Sequence, residues 1–214
     1  MEEGGARQWL EQELAVSRET LERLEAFVDL LRRENEVQNL VSRATLDEIW
    51  ARHILDSAQL LRFAPGGAET WLDLGTGAGF PGLILALLHP SAVTMVESRK
   101  LRVDFLQRAA SILSLPSSTR IVCSKIERFE APPFAVISAR AFAPLERLLT
   151  LAERFASPET LWVLPKGRNA KSELEEAQAS WQGEFRLEPS LTDPDAMIIV
   201  AERVRRRGRE KSSR

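Results

Sequence analysis

The sequence predicts an α/β protein: a mostly parallel, seven-stranded sheet closed by an antiparallel hairpin and preceded by a helical N-terminal region. Three observations lead there. Apolar residues before Pro65-Gly66-Gly67 recur at helical spacing, short β-rich runs after it alternate with helix-length segments, and the last two β-rich runs are separated only by Thr192-Asp193-Pro194-Asp195. In chain order, Leu21, Leu24, Phe27, Val28 and Leu31 form the stripe of an amphipathic helix over residues 20–37, which Asn35 and Asn39 end. Thr45, with Glu48 three residues later, has the pattern of a capping box, and Ile49, Trp50, His53, Ile54, Ser57, Leu60 and Leu61 continue a second helix from it. The Pro-Gly-Gly turn then divides a helical cap, residues 1–67, from a sheet domain, residues 68–204. In that domain strands are predicted at 71–74, 92–97, 120–123, 134–138 and 160–164, interspersed with helices at 82–88, 99–113, 145–155 and 169–181. Such helices are long enough for right-handed crossovers, so they are expected on both sheet faces. Residues 185–191 and 197–204 form the hairpin.

Composition narrows the class. The 214 residues are 44% hydrophobic and 28% charged, with 11 Gly and 11 Pro, which excludes disordered, collagenous and coiled-coil chains and leaves room for one good-sized domain. Cys123 has no second cysteine to pair with, and one thiol with two histidines builds no structural zinc site. No apolar run approaches the roughly 18 residues of a membrane span, and Glu2 and Glu3 lack a signal peptide's basic start, so a soluble, unexported protein is expected. The lone cysteine suits the cytoplasm, no metal is expected, and a monomer is expected because no extra apolar stripe or heptad run remains once the core is assigned. The net charge of −2 hides a polarity: residues 1–69 carry −6, residues 70–202 carry −2, and the tail from Arg203 to Arg214 carries +6. Residues 205–214 are expected to be a basic, disordered tail, a run that suits a polyanion and equally a solvated chain end.

The stretch Asp73-Leu74-Gly75-Thr76-Gly77-Ala78-Gly79-Phe80-Pro81-Gly82 joins the first predicted strand to the helix after it, where glycines let the backbone turn tightly and approach a ligand. Two readings compete there. Gly77, Gly79 and Gly82 satisfy G-x-G-x-x-G, with Glu97 20 residues after Gly77, as a dinucleotide site requires. Read from Asp73 it is D-x-G-x-G-x-G, in which an acid at the strand end meets the ammonium of S-adenosylmethionine and repels a pyrophosphate. The second reading is favoured, and it makes Asp73, Gly75, Gly77 and Gly79 cofactor residues. Glu97, ending the second strand, accepts from both ribose hydroxyls. After the third strand Ile126 is set against the adenine face, while Glu127 either meets the adenine amino edge or serves as a helix-start carboxylate. The parallel core closed by an antiparallel hairpin agrees, since Rossmann-like class I methyltransferases have it and nicotinamide dehydrogenases do not.

Lys125, Arg140 and Lys166 follow the third, fourth and fifth strands, which puts three cations on the edge that carries the glycine loop. Each alone reads as a surface charge; together they read as positioning groups that attract phosphates. Missing chemistry is informative too. Around Ile137-Ser138-Ala139-Arg140-Ala141-Phe142 there is no Asn-Pro-Pro or Asp-Pro-Pro segment to grip an exocyclic base amine, and the lone Cys123 does not support covalent attack on a pyrimidine. Ring nitrogen 7 of guanine fits better, because its in-plane lone pair carries no proton and needs alignment without a general base. Arg52-His53-Ile54-Leu55-Asp56-Ser57 sets His53, Asp56 and Ser57 on one helix face, either over the cofactor mouth or in a buried polar cluster that joins cap to sheet. The cluster is preferred for His53.

These residues together resemble the bacterial 16S ribosomal RNA guanine-7 methyltransferase family, also called glucose-inhibited division protein B, over about residues 21–200. Asn39-Leu40, the Arg52 to Ser57 segment, the glycine loop, Glu97-Ser98 with Lys100, Arg102 and Phe105-Leu106, then Ser138, Arg140 and Ala141, and Leu164-Pro165-Lys166-Gly167 fall in the family's order. The resemblance implies methyl transfer from S-adenosylmethionine to a guanine of 16S ribosomal RNA, in the small subunit or an assembly intermediate. It carries cofactor contacts over to Gly75, Phe80, Glu97, Ile126, Glu127 and Arg140, and gives Lys125 and Lys166 to the RNA, with Arg140 serving either ligand. The chain departs from the family at Glu34, where an aromatic residue is usual, at Val41, where Thr is frequent, and at Asp195-Ala196-Met197, which offers no Arg. One RNA contact is therefore missing, and the arginine-rich tail is expected to replace it. A nicotinamide-dependent oxidoreductase, a small-molecule methyltransferase and an RNA-binding chaperone with a vestigial cofactor pocket are the competing functions.

Overall fold

A computed structural model describes residues 3–208. Helices α1 (Glu3–Glu13) and α2 (Arg18–Asn35) open the chain, and a helical stretch over residues 50–62 passes from π geometry (Trp50–Leu55) through α3 (Asp56–Ala58) to a 3-10 end (Gln59–Arg62). Then come β1 (Thr70–Leu74), α4 (Gly82–Leu88), β2 (Ala92–Glu97), α5 (Lys100–Ile112), β3 (Arg120–Cys123), β4 (Val136–Ser138), α6 (Leu145–Ala152), β5 (Leu161–Lys166), α7 (Ala170–Ala177), β6 (Trp181–Pro189) and β7 (Met197–Arg206). The seven strands form one sheet in the order β3-β2-β1-β4-β5-β7-β6. Strands β1 to β5 are parallel, and β7 runs antiparallel to both β5 and β6. The expected parallel sheet with a closing hairpin is the sheet observed. Chain order reverses direction at β1 and β4, so their carboxyl ends form the switch point at which open α/β sheets take ligands.

Strand alternation sorts the core into two layers. Trp71, Val93, Met95, Val136 and Val163 point to the face covered by α1, α2, residues 50–62, α4 and α5, while Leu72, Val96, Ile137, Trp162 and Leu164 point to the face covered by α6 and α7. Helices lie on both faces, as the alternation predicts. No helix among the described residues is long and apolar enough to cross a membrane.

Local differences have identifiable causes. The sequence reading places no helix before residue 20, yet α1 buries Ala6 and Leu10. The Glu3 carboxylate accepts from the backbone N–H groups of Trp50 and Ala51, at 3.0 Å each, and the Arg7 guanidinium lies 4.1 Å from the Trp50 ring centroid. Residues 50–62 thus receive their N-terminal cap from another helix. The Thr45 capping box does not form, because the Thr45 hydroxyl donates to the Ser42 carbonyl and meets His53 Nε2. The predicted helix over 169–181 stops at Ala177, since Trp181 is buried in the core as the first residue of β6. Strand β7 continues past Val204, pairing Arg205 with Gln182 and Arg206 with Trp181. Arg206 also pairs with Glu153 at 2.9 Å, and Arg207 Nε donates to the Gln178 carbonyl at 2.7 Å. The tail expected from residue 205 therefore begins as sheet, and its remainder, residues 209–214, lies outside the described residues.

Replacing Glu3 by Ala leaves two helix N–H donors without their acceptor. A loss of about 1–3 kcal/mol is expected, which thermal melts read as about 2–4 °C per kcal/mol for a chain this size.

Candidate active site

The glycine loop is held by one buried carboxylate. Parallel pairing of β1 with β4 puts Asp73 beside Ser138, and Trp71, two residues earlier, shares the same face. The Ser138 hydroxyl accepts from Trp71 Nε1 at 2.9 Å and donates to Asp73 Oδ1 at 2.8 Å. The other Asp73 oxygen accepts from the backbone N–H of Gly82, the first residue of α4, at 3.0 Å. A Cβ on Gly82 would stand 2.8 Å from that same oxygen, so the close approach requires glycine. Asp73 is fully buried, and burial pushes its carboxyl up to about 6 against the opposing pull of its hydrogen bonds and of Arg140.

Past the loop, a cavity of about 350 Å³ follows the carboxyl ends of β1, β2 and β3. Glu97, Ile126, Glu127, Lys125 and Gly75 line it. The Glu97 carboxylate is held in place: Oε2 accepts from Gly77 N at 3.2 Å, Oε1 from Arg99 N at 2.8 Å, and Arg102 Nη1 stands 3.7 Å away. Gly75 takes φ +64°, and a Cβ there would lie 2.3 Å from the Phe142 ring, which packs directly on the loop. A carboxylate suited to a pair of hydroxyls beside the buried apolar side chain of Ile126 fits the adenosine of S-adenosylmethionine.

A larger cavity of about 480 Å³ lies on the other side of Phe142, which lines both. Its central group is Arg140. Nη1 donates to Asp56 Oδ2 and to the Arg52 carbonyl, at 3.1 Å each, and Nη2 donates to His53 Nδ1 at 2.8 Å. An arginine is never an acceptor, so Nδ1 accepts and the imidazole proton sits on Nε2, which meets Thr45 Oγ1 at 2.9 Å. Burial first, then the charges of Arg140 and Arg52, lower His53 to about 3, so it stays neutral at physiological pH. Farther along the wall Lys166 Nζ pairs with Glu173 at 2.8 Å, and Arg52 with Asp193 at 2.9 Å. The β6–β7 turn is tied in by Thr192, whose hydroxyl donates to Asp56 Oδ1 at 2.8 Å.

The predicted site residues divide accordingly. Gly75, Glu97, Lys125, Ile126 and Glu127 meet in the smaller cavity, and Arg140 and Lys166 in the larger one. Asp73, expected to face the cofactor's ammonium, instead acts on the loop from beneath, with no surface exposed. Gly77 serves through its N–H on Glu97, while Gly79 packs on Leu83. Phe80 lines neither cavity, because its ring is buried between Phe27, His53 and Arg140, at 5.6, 5.0 and 5.3 Å. The three-cation edge is present, but Arg140 and Lys166 are ion-paired, and of the three only Lys125 is exposed and outside any ion pair among the described residues. His53 is buried and bonded to Arg140, which joins residues 50–62 to the sheet, and it also lines the larger cavity, so both placements open to its helix face coincide. Glu173 and Asp193 were not singled out by sequence; neither belongs to a motif, and only the fold brings them to the cavity.

A mostly parallel sheet with an antiparallel β7, a glycine loop after β1 and an oriented carboxylate after β2 define a class I S-adenosylmethionine-dependent methyltransferase. Solved structures show the same fold: an O-methyltransferase from Bacillus cereus in complex with S-adenosylhomocysteine is 14% identical, with TM-score 0.58 over 91% of this chain and 96% of that one. A glycopeptide N-methyltransferase complexed with S-adenosylmethionine is 9% identical, with TM-score 0.57 over 69% and 92%. The family model for rRNA small subunit methyltransferase G matches residues 20–191, and the chain belongs to that family. Ribosomal RNA small subunit methyltransferase G of Zymomonas mobilis is 50% identical, covering 92% of this chain and 91% of its own length, and that of Novosphingobium aromaticivorans is 52% identical, covering 91% and 86%.

Asp73 and His53 act on stability with opposite signs. The folded Asp73 carboxyl titrates near 6 and the unfolded one near 3.8, so acidification through that window stabilises the fold, by about 3 kcal/mol. Folded His53 stays neutral down to about 3 while the unfolded imidazole protonates near 6.5, so its share of stability, about 5 kcal/mol, is lost as pH falls through that window. Urea melts between about pH 4 and 7 check both signs. Wild type should gain on Asp73→Asn with acidification and lose on His53→Gln; a pH-independent difference in either comparison contradicts the assignment.

Proposed function

We propose that the protein transfers the methyl group of S-adenosylmethionine to ring nitrogen 7 of a guanine in 16S ribosomal RNA, acting as a cytoplasmic monomer on the small subunit or an assembly intermediate. The observation that carries the reading is the pair of cavities meeting at Phe142 and Ala143, one suited to an adenosine and the other polar and ion-paired. Family membership supplies the substrate class. When bound, the cofactor supplies a methyl group on a sulfonium, an electrophilic carbon. Gly75, Glu97, Ile126 and Glu127 hold it at the smaller cavity, and Asp73 keeps the loop in the shape that leaves that cavity open.

The imidazole of the larger cavity supplies position and no base. Both His53 nitrogens are engaged, Nδ1 by Arg140 and Nε2 by Thr45. The site's one imidazole is therefore committed to orientation, which agrees with a nucleophile that has no proton to lose. Arg140, fixed by Asp56, His53 and the Arg52 carbonyl, presents a rigid cationic wall beside Phe142.

Undermethylated 30S subunits incubated with labelled S-adenosylmethionine should yield label in 7-methylguanosine. Arg140→Ala should lower the rate by at least about 100-fold through lost alignment, and Asp73→Ala should abolish it by releasing the loop. Label in any other nucleoside overturns the reading. Glu97→Ala removes the charge-assisted acceptor for ribose, and calorimetric titration should show S-adenosylhomocysteine binding weakened about 10- to 100-fold.

A further inference from the structure

We propose that the larger cavity receives the acceptor guanine as an unstacked base, and that Lys166 and Glu173 read its Watson–Crick edge. The inference rests on the reading of the acceptor as an RNA guanine. An enzyme that does chemistry on a base takes it out of the stack and recognises it in a pocket by its edge and faces. The cavity of about 480 Å³ offers Phe142, Pro165 and Met197 as apolar wall beside the ion pair.

The polar pair has a direction. Lys166 Nζ donates to the Ala143 carbonyl and to Glu173 Oε2, at 2.8 Å each, and Glu173 Oε2 also accepts from Leu145 N at 2.9 Å. Glu173 Oε1 takes no hydrogen bond among the described residues. Along the backbone from Ala143 to Leu145 the wall therefore presents a cationic donor and then a carboxylate acceptor, on side chains 9% and 25% exposed. Guanine matches that order, with acceptor O6 followed by the N1–H and N2–H donors. Adenine reverses it, setting an amino donor against the ammonium and a lone pair against the carboxylate, so both contacts turn repulsive.

Orientation follows from the same pair. N7 adjoins O6 on the side away from N1. With O6 on Lys166, which is bonded at Ala143, N7 lies toward Phe142, the wall shared with the cofactor cavity. The pairing also accounts for a lysine this deeply buried, a placement rare without a partner.

The test uses the full chain saturated with S-adenosylhomocysteine and probes it with GMP and AMP by saturation-transfer NMR. Wild type should prefer GMP by at least about tenfold. Glu173→Gln keeps its one oxygen for Leu145 N and Lys166 and turns its amide nitrogen, a donor, to the base, so the preference should fall below about threefold while S-adenosylhomocysteine affinity stays at the wild-type value, which shows that the variant is folded. Equal binding of GMP and AMP by wild type, no binding of either at about 10 mM, or a preference unchanged in Glu173→Gln overturns the assignment. Wild-type labelling of 30S subunits, measured in parallel, separates the two readings. If 7-methylguanosine forms and the preference does not depend on Glu173, this inference alone fails. If wild type neither binds S-adenosylhomocysteine nor labels ribosomal RNA, the methyltransferase reading fails and takes this one with it.

Discussion

Arg140 lies two residues past a short central strand, and the helical stretch almost ninety residues before it in the chain holds it in place. Asp56 neutralises its charge, the Arg52 carbonyl in the π-helical turn takes a second N–H, and His53 Nδ1 takes a third. Removing one member of such a pair leaves a charge that is mostly cut off from water, which costs about 3–5 kcal/mol at buried sites. The cap and the sheet are thus joined through a polar knot rather than by apolar packing alone. A π turn costs helix geometry, and its position under Arg140 fits the frequent placement of such turns at functional sites.

The knot reaches the glycine loop through Phe80. Its ring stacks on His53, lies under Arg140 and meets Phe27 of α2, so one loop side chain touches both the cap and the site arginine. Asp73 fixes the same loop from the sheet side. The loop is therefore clamped at both ends by buried polar groups whose charge states are set by burial: Asp73 carries a carboxyl that burial makes easier to protonate, and His53 an imidazole that burial and Arg140 make harder to protonate. Neither group needs to touch a ligand to matter for the shape of the cavities.

The sheet and most site positions were legible in the sequence because they obey local rules. Strands β2 and β3 and helix α4 follow from apolar runs bounded by turn residues, and Glu97, Lys125, Arg140 and Lys166 follow from one rule, that ligands meet the carboxyl ends of parallel strands. What was not legible depends on distant partners. Helix α1 is polar over most of its surface, and its docking rests on Glu3 and Arg7 meeting Trp50. The end of α7 was overrun because Trp181 continues an apolar helical pattern while its place in the core belongs to β6. Asp73 and Phe80 carry the motif yet turn their side chains to the core, because a motif states which residues recur and not which way their side chains face.

The pairing of the edge cations changes what the site selects. Three bare cations on one edge would form a phosphate trap, equally open to any anion. With Asp56 on Arg140, Glu173 on Lys166 and Asp193 on Arg52, a phosphate must displace a carboxylate already in place at 2.8 to 3.1 Å. Lys125 and Arg147, both exposed on the smaller cavity and in no ion pair among the described residues, escape this cost. A neutral base with donors and acceptors on one edge meets the opposite situation, because alternating donor and acceptor groups are what an array of ion pairs presents at its surface. The cavity walls therefore favour a nucleobase over a backbone phosphate.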